Sequence, residues 1–346
     1  GMFALAFWDG PRQQLFFARA RIGKKPFFYT HEAGQFVFAS EIKALLSEQS
    51  KPSIDLQAIR LFFGLQYVPS PWTGFMGIRC LPPAHYGFVQ ADGSVSLTRY
   101  ESYERTGDFR GSYADAVEEV RRLVNESVRL RMIADVPVGT FLSGGIDSSI
   151  VATLMARNFD GPIQTFTMGF PTFGFDEREE ARDLARRLGA DHHEYEAQPG
   201  DIPALIDTLV SLYDATFADA SALQTWLLAR ATRQHVKAVM TGDGGDELFA
   251  GYRRYQAFLQ AKKLRDHHLD GLAGMAAHLL SMGLRQPRYQ RFARLLEAIR
   301  RSDGEGYASL FTGSYFSAPD EPALLQPDFC AATQASASEP FVRDHA

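Results

Sequence analysis

The chain has 346 residues, of which 45% are hydrophobic and 22% are charged, and its formal net charge at pH 7 is -5. These values are typical of a globular protein with room for two domains, and the charge gives no sign of nucleic-acid binding. No run reaches the roughly 18 consecutive apolar residues of a membrane span, so we expect a cytoplasmic protein without a membrane partner. The two cysteines, Cys80 and Cys330, offer no disulfide framework or paired metal ligands, and we expect buried, reduced thiols.

The first hundred residues predict a hydrophobic β-meander with aromatic side chains in its core, Phe27, Phe28 and Tyr29 among them. Polar residues at 101–111 then predict a linker, which separates a first domain at residues 1–100 from a second domain at residues 112–346.

The second domain opens on a predicted helix. Ser112 and Asp115 have the spacing of a capping box, in which each side chain accepts from the other's backbone N–H. The apolar residues that follow recur on one helix face, at Val117, Val120, Val124 and Val128.

The most informative segment of the chain is SGGIDSS at residues 143–149, called here the first glycine loop. It follows an apolar run at 136–142 and precedes a helix-like run at 150–156, which predicts a strand, a loop and a helix. Such a junction directs backbone N–H groups and a helix N-terminus at one point, an arrangement that suits phosphate. We expect unusual φ values at the two glycines and hydroxyl donors from the serines. Asp147 would lie beside the phosphates, where a bound cation must offset the repulsion between its carboxylate and the phosphate charges. The loop matches neither the Walker lysine motif nor the GxGxxG dinucleotide motif.

A strand candidate at 164–170 follows, and Asp176 and Glu177 then open an amphipathic helix that we expect to end at Gly189. The apolar face of this helix carries Ala181, Leu184, Ala185 and Leu188. Alternating strands and helices favour a parallel sheet, which binds ligands at the carboxyl ends of its strands. His192 and His193, which lack metal spacing, are expected to be structural.

A second strand-loop-helix junction follows the apolar run at 236–240. Its TGDGGD sequence at residues 241–246 is called here the second glycine loop. Asp246 stands where a helix N-cap is expected, and it is also a candidate for a second carboxylate on magnesium. Two acids from two strand ends would then converge on one triphosphate.

These motifs, in this order, resemble the glutamine-dependent asparagine synthetase family. The first hundred residues resemble the later half of its glutaminase (class II glutamine amidotransferase) domain, at residues 1–9, 19–29, 38–45 and 81–85. The resemblance implies a truncated Ntn-hydrolase-type β-sandwich half, followed by a parallel-sheet α/β ATP-pyrophosphatase (PP-loop) domain with a helical C-terminal segment. The family's catalytic N-terminal cysteine is absent, because residue 1 is Gly and matches an interior strand. We therefore expect a fragment that lacks both ends of the family's sequence, including a later acceptor-binding segment.

The resemblance also implies a site and a reaction. ATP and magnesium are the implied cofactors, aspartate and glutamine-derived ammonia the implied substrates, and a homodimer the implied assembly. Asp147 and Asp246 are the implied magnesium ligands, and Asp243 is the catalytic candidate that handles the proton lost by ammonia. The implied nucleotide-binding residues are Leu142, Ser143, Gly144, Gly145, Asp147, Ser148, Met168, Thr241 and Gly242.

Three alternatives stay open on the sequence. A sibling amidotransferase would use another carboxylate, such as a sugar uronate or a peptide. An ATP pyrophosphatase acting on tRNA would need paired cysteines and a basic face, and neither is evident. A remnant that binds nucleotide without catalysis is the third.

The basic runs at 253–265 and 285–301 are expected to be solvated helix faces.

Overall fold

The computed structural model describes residues 1–47, 52–102, 109–169, 176–197, 201–219, 221–267, 299 and 325–333. These residues form two compact units, one comprising 1–104, 213–218 and 253–346 and the other 105–212 and 219–252. Part of the predicted linker at 101–111 lies outside the described residues. The basic run at 285–301 also lies outside them, apart from residue 299, and so does most of the expected helical C-terminal segment. The domain boundaries stay a prediction.

The first unit contains two antiparallel sheets. Strands β1 (Ala4–Asp9), β2 (Gln14–Arg19), β6 (His85–Val89) and β7 (Val95–Arg99) form one sheet in the order β1-β2-β6-β7. Strands β3 (Phe28–Glu32), β4 (Gln35–Ala39) and β5 (Ile78–Cys80) form the other in the order β4-β3-β5. The described residues of this unit form the helices α1 (Ile42–Leu46), α2 (Leu56–Leu65), α9 (Arg253–Asp266) and α10 (Pro327–Thr333).

Aromatic rings from both sheets pack into one core, as the sequence predicts. The ring of Phe17, which is fully buried, lies 4.9 Å from that of Phe36 and 5.4 Å from that of Phe27, measured between centroids. Large aromatic side chains bury more apolar area than other residues, so this cluster stabilises the association of the two sheets. Cys80 is buried as expected, but Cys330 is half-exposed, and the prediction of two buried thiols was wrong for it.

The second unit contains a parallel sheet, as the alternation of strands and helices predicts. Strands β8 (Val138–Phe141), β9 (Gln164–Gly169), β10 (Asp191–Glu196) and β11 (Ala238–Met240) lie in the order β10-β9-β8-β11. The helices are α3 (Tyr113–Arg131), α4 (Ile146–Arg157), α5 (Arg178–Leu188), α6 (Asp201–Leu212), α7 (Ser221–Thr232) and α8 (Gly245–Phe249).

Two helix ends follow their local sequence. Ser112 and Asp115 form the predicted capping box of α3, in which the N–H of Ser112 donates to the Asp115 carboxylate at 2.8 Å. Gly189 ends α5 in the left-handed conformation, at a φ of 64°, which a residue without Cβ adopts at little cost. The predicted apolar face of α3 is buried only toward its carboxyl end, at Val128, whereas Val117 and Val120 are exposed.

The histidine pair lies in β10. The ring of His193 stacks on Phe166 at 5.1 Å, and burial lowers the pKa of His192.

Among the described residues, no helix combines the length and apolar character needed to cross a membrane.

Candidate functional site

Both glycine loops leave the same edge of the parallel sheet. Strands β8 and β11 are hydrogen-bonded neighbours with Thr140 opposite Met240, and the two loops begin within three residues of this pair. Because the strands are parallel, their carboxyl ends meet at one edge, which is where α/β sheets bind ligands.

The two loops lie in direct contact, and glycine makes this contact possible. A Cβ added at Gly242 would lie 2.7 Å from the backbone nitrogen of Ser148 and 2.9 Å from the carbonyl carbon of Asp147. A Cβ at Gly245 would lie 2.5 Å from the carboxylate atom Oδ2 of Asp147. The structure therefore brings Asp147 of the first loop against Gly242 and Gly245 of the second loop.

The expectation of unusual φ values at the glycines of the first loop was wrong. Gly145 has an ordinary φ of -73°, and Gly144 has no left-handed φ either. A Cβ at Gly144 would instead lie 2.9 Å from Cβ of Glu180 and 3.3 Å from Cβ of Glu177. Close packing of α5, not backbone conformation, is the physical reason for glycine at this position.

The serine hydroxyls that we expect as ligand donors form hydrogen bonds within the first loop. The N–H of Ser143 donates to Oγ of Ser148 at 3.1 Å, and the two hydroxyl oxygens lie 2.8 Å apart. Ser149 Oγ donates to the carbonyl of Gly145 at 2.7 Å. These bonds connect the start of the loop to the first turn of α4 and hold the loop in a defined shape.

The acidic residues lie in the first turns of α4 and α8 and in the loop that directly precedes α8. Asp147 lies in the first turn of α4, and Asp246 lies in the first turn of α8. The N-cap of α8 is Gly244, at a φ of 92°, so the expectation that Asp246 caps this helix was wrong. Asp243, the catalytic candidate, accepts a hydrogen bond from Thr241 Oγ1 at 2.8 Å.

The donor set fits magnesium shared with phosphate. The described residues contain no cluster of three or more histidine, cysteine or acidic side chains that would form an all-protein metal cage. Magnesium commonly takes only one or two carboxylates, with substrate phosphates and water completing its octahedron. Asp147 and Asp246 stay the predicted ligands of such a site.

On the predicted adenosine side, Leu142 departs from expectation. It is 2% exposed and its side chain packs in the hydrophobic core with Val128, Ala152 and Met155. Its backbone N–H and carbonyl are hydrogen-bonded to Phe166 and Thr167, so a role for Leu142 beside the adenosine stays a prediction. Met168 is half-buried at the end of β9, close to the same sheet edge.

Sequence reasoning missed two groups of residues. Glu177 precedes α5 without capping it, and its carboxylate instead accepts the N–H of Gly144 at 3.3 Å. Arg178 forms ion pairs with Asp176 at 2.6 Å and with Glu196 at 2.9 Å, and these carboxylates raise its pKa. No local pattern signals the contact of Glu177 with Gly144 or that of Arg178 with Glu196, because the two partners of each contact lie far apart in the sequence.

Comparison with known proteins agrees with this architecture. Residues 119–341 match the family described as asparagine synthase, and residues 1–101 match the glutamine amidotransferase domain. Asparagine synthetase (glutamine-hydrolyzing) 1 of Bacillus subtilis is 32% identical over 300 residues, which cover 86% of this chain and 46% of that protein. Amidase chyE of Penicillium rubens is 30% identical over 320 residues, which cover 86% of this chain and 47% of that protein. The chain spans about half the length of these curated relatives.

Solved structures give weaker likenesses. An NH3-dependent NAD synthetase from Campylobacter jejuni is 16% identical with a TM-score of 0.30, over 66% of this chain and 95% of that one. A score this low supports no further conclusion.

The fold and the paired loops define an α/β protein in which an antiparallel unit, matched by the glutamine amidotransferase domain, accompanies a parallel-sheet unit that carries both glycine loops. The chain belongs to the asparagine synthase family.

Proposed function

We propose that this protein catalyses ATP-dependent amide synthesis, with aspartate as the acceptor. Its carboxylate attacks the α-phosphate of ATP, which gives β-aspartyl-AMP and pyrophosphate. Ammonia released from glutamine then attacks the acyl carbon, asparagine forms and AMP leaves. Activation is needed because a carboxylate is a poor electrophile, whereas AMP is a far better leaving group than oxide.

The observation that carries the proposal is the contact between the two glycine loops. It holds the carboxylate of Asp147, in the first turn of α4, against Gly245, the residue that directly precedes Asp246 in the chain. A helix N-terminus attracts phosphate, whereas adjacent carboxylates repel it unless a cation lies between them. Magnesium, held by Asp147 and Asp246, would neutralise the charge of the departing pyrophosphate.

The other proposed roles follow from position. Residues Ser143, Gly144, Gly145 and Ser148 of the first loop would hold the pyrophosphate group. The adenosine side would be lined by Leu142, Met168, Thr241 and Gly242. Asp243, exposed and held by Thr241, would accept the proton that ammonia loses.

The test is ATP–pyrophosphate exchange by the natural protein in its native length, with magnesium and aspartate. Exchange should require aspartate and should fall by at least about a hundredfold in Asp147→Asn, which keeps the shape of the side chain and removes its charge. Asp183→Asn on α5, an exposed acid that pairs only with Arg186 in the described structure, is the control and should exchange normally. Normal exchange in Asp147→Asn would contradict the proposed role.

A sibling amidotransferase with another carboxylate acceptor is the second candidate. The observation that favours it is that relatives of similar coverage carry different names, asparagine synthetase in one case and amidase in the other. Exchange that is absent with aspartate but present with another carboxylate would select this candidate. ATP binding without exchange on any acid would leave a nucleotide-binding protein.

A further inference from the structure

Three threonines lie inside the parallel sheet, where apolar side chains are the rule. Thr140 and Thr165 are fully buried, and Thr167 is 4% exposed. Strands of a parallel sheet are covered on both faces and are usually rich in valine, isoleucine and leucine. A buried hydroxyl is costly unless it forms a hydrogen bond, so the partner of each threonine shows what its hydroxyl does.

Two of these hydroxyls hold the carbonyl that directly precedes a glycine loop. Thr167 Oγ1 donates to the carbonyl of Leu142 at 2.5 Å, and Leu142 is followed by the first loop. Thr140 Oγ1 donates to the carbonyl of Met240 at 3.0 Å and also lies 3.2 Å from the carbonyl of Phe141, and Met240 is followed by the second loop. Thr165 differs, since its hydroxyl pairs with Nδ1 of His192 at 2.8 Å.

A held carbonyl fixes more than its own oxygen. The peptide group is planar, so fixing the carbonyl of Leu142 also fixes the direction of the Ser143 N–H in the same plane. The N–H of Leu142 is already bonded to the carbonyl of Phe166 at 2.9 Å, and the Ser143 N–H bonds to Ser148. Thr167 therefore completes the anchorage of the first peptide group of the first loop.

We infer that Thr167 is a positioning residue for the nucleotide phosphates, acting through the Leu142–Ser143 peptide group, and that Thr140 does the same for the second loop. This inference rests on the proposed function, since it assigns these hydroxyls to the phosphate site of that reaction. Neither residue is required to touch the ligand. Their effect is to fix the shape of the two loops before the ligand arrives, which lowers the cost of binding.

The test compares Thr167→Val, Thr167→Ser and Thr165→Val in the natural protein. Valine keeps the shape of threonine and removes the hydroxyl, and Thr165→Val is the matched control because it lies in the same strand and is equally buried. We expect Thr167→Val to raise the KM for ATP in pyrophosphate exchange about tenfold. Thr167→Ser should restore the wild-type KM, and Thr165→Val should leave it unchanged even where it lowers the Tm.

A second measurement is independent of activity. Hydrogen–deuterium exchange of the amides at 143–149 should be faster in Thr167→Val than in Thr165→Val, at temperatures equally far below each variant's Tm. Equal KM values and equal amide exchange in the two valine variants would overturn the inference. An inactive wild-type protein would instead overturn the proposed function, and the amide exchange of the first loop would still decide whether Thr167 anchors it.

Discussion

Gly242 lies against the backbone of the first glycine loop, so its replacement by alanine is a sharp test of how the two loops pack. The added Cβ would lie 2.7 Å from the nitrogen of Ser148, about 0.8 Å inside the roughly 3.5 Å of an ordinary contact. The obstructing atom belongs to the first turn of α4, which cannot rotate away as a side chain can. Overpacking of this kind costs about 1–3 kcal/mol.

The expected result is a loss of about 2 kcal/mol in the free energy of unfolding, which corresponds to about 4–8 °C in Tm for a unit of this size. Gly242 has no left-handed φ, so backbone conformation adds nothing to this cost. Urea unfolding followed by circular dichroism measures the change, and titration with ATP measures the accompanying loss of affinity.

Gly145→Ala is the matched control for this variant. Gly145 also has an ordinary φ, but its added Cβ would approach only the hydroxyl of Ser143, at 3.1 Å, and a hydroxyl can rotate. We expect Gly145→Ala to change the free energy of unfolding by less than about 0.5 kcal/mol. If Gly242→Ala were no less stable than Gly145→Ala, the described contact between the loops would be wrong.

Two further predictions concern charge. Glu177→Gln should lower the Kd for ATP, because the carboxylate that is bonded to the N–H of Gly144 repels phosphate and competes for that donor. Calorimetric titration measures the Kd, and Glu179→Gln in the first turn of the same helix is the control. An unchanged or higher Kd in Glu177→Gln would count against this role. Arg182 holds the pKa of Glu194 below its ordinary value of 4.5, so this carboxylate contributes stability above that value and loses it as the pH falls through the lowered pKa. Arg182→Gln should therefore lower the urea concentration at the unfolding midpoint at pH 7. Below pH 4.5 this midpoint should fall less steeply with decreasing pH in the variant than in the wild type. An equally steep fall in both proteins would show that this pair does not control acid stability.

Local sequence determined much of the architecture. The spacing of Ser112 and Asp115 predicted a capping box, and Gly189 predicted a helix end, because each motif acts over a few residues. The alternation of strand and helix patterns predicted the parallel sheet, and the two glycine-rich junctions predicted loops at the carboxyl ends of β8 and β11. These features follow from backbone geometry and hydrogen bonding between near neighbours, which a sequence records directly.

Tertiary structure alone decided how the loops are held. The sequence predicted unusual φ values at Gly144, but the structure gives packing against α5 as the reason for glycine there. It likewise decided that Glu177 reaches Gly144 and that Thr167 holds the carbonyl of Leu142, across 33 and 25 residues of chain. Such contacts depend on which strands become neighbours, and strand order is set by the burial of the whole sheet, so no local pattern of residues specifies them.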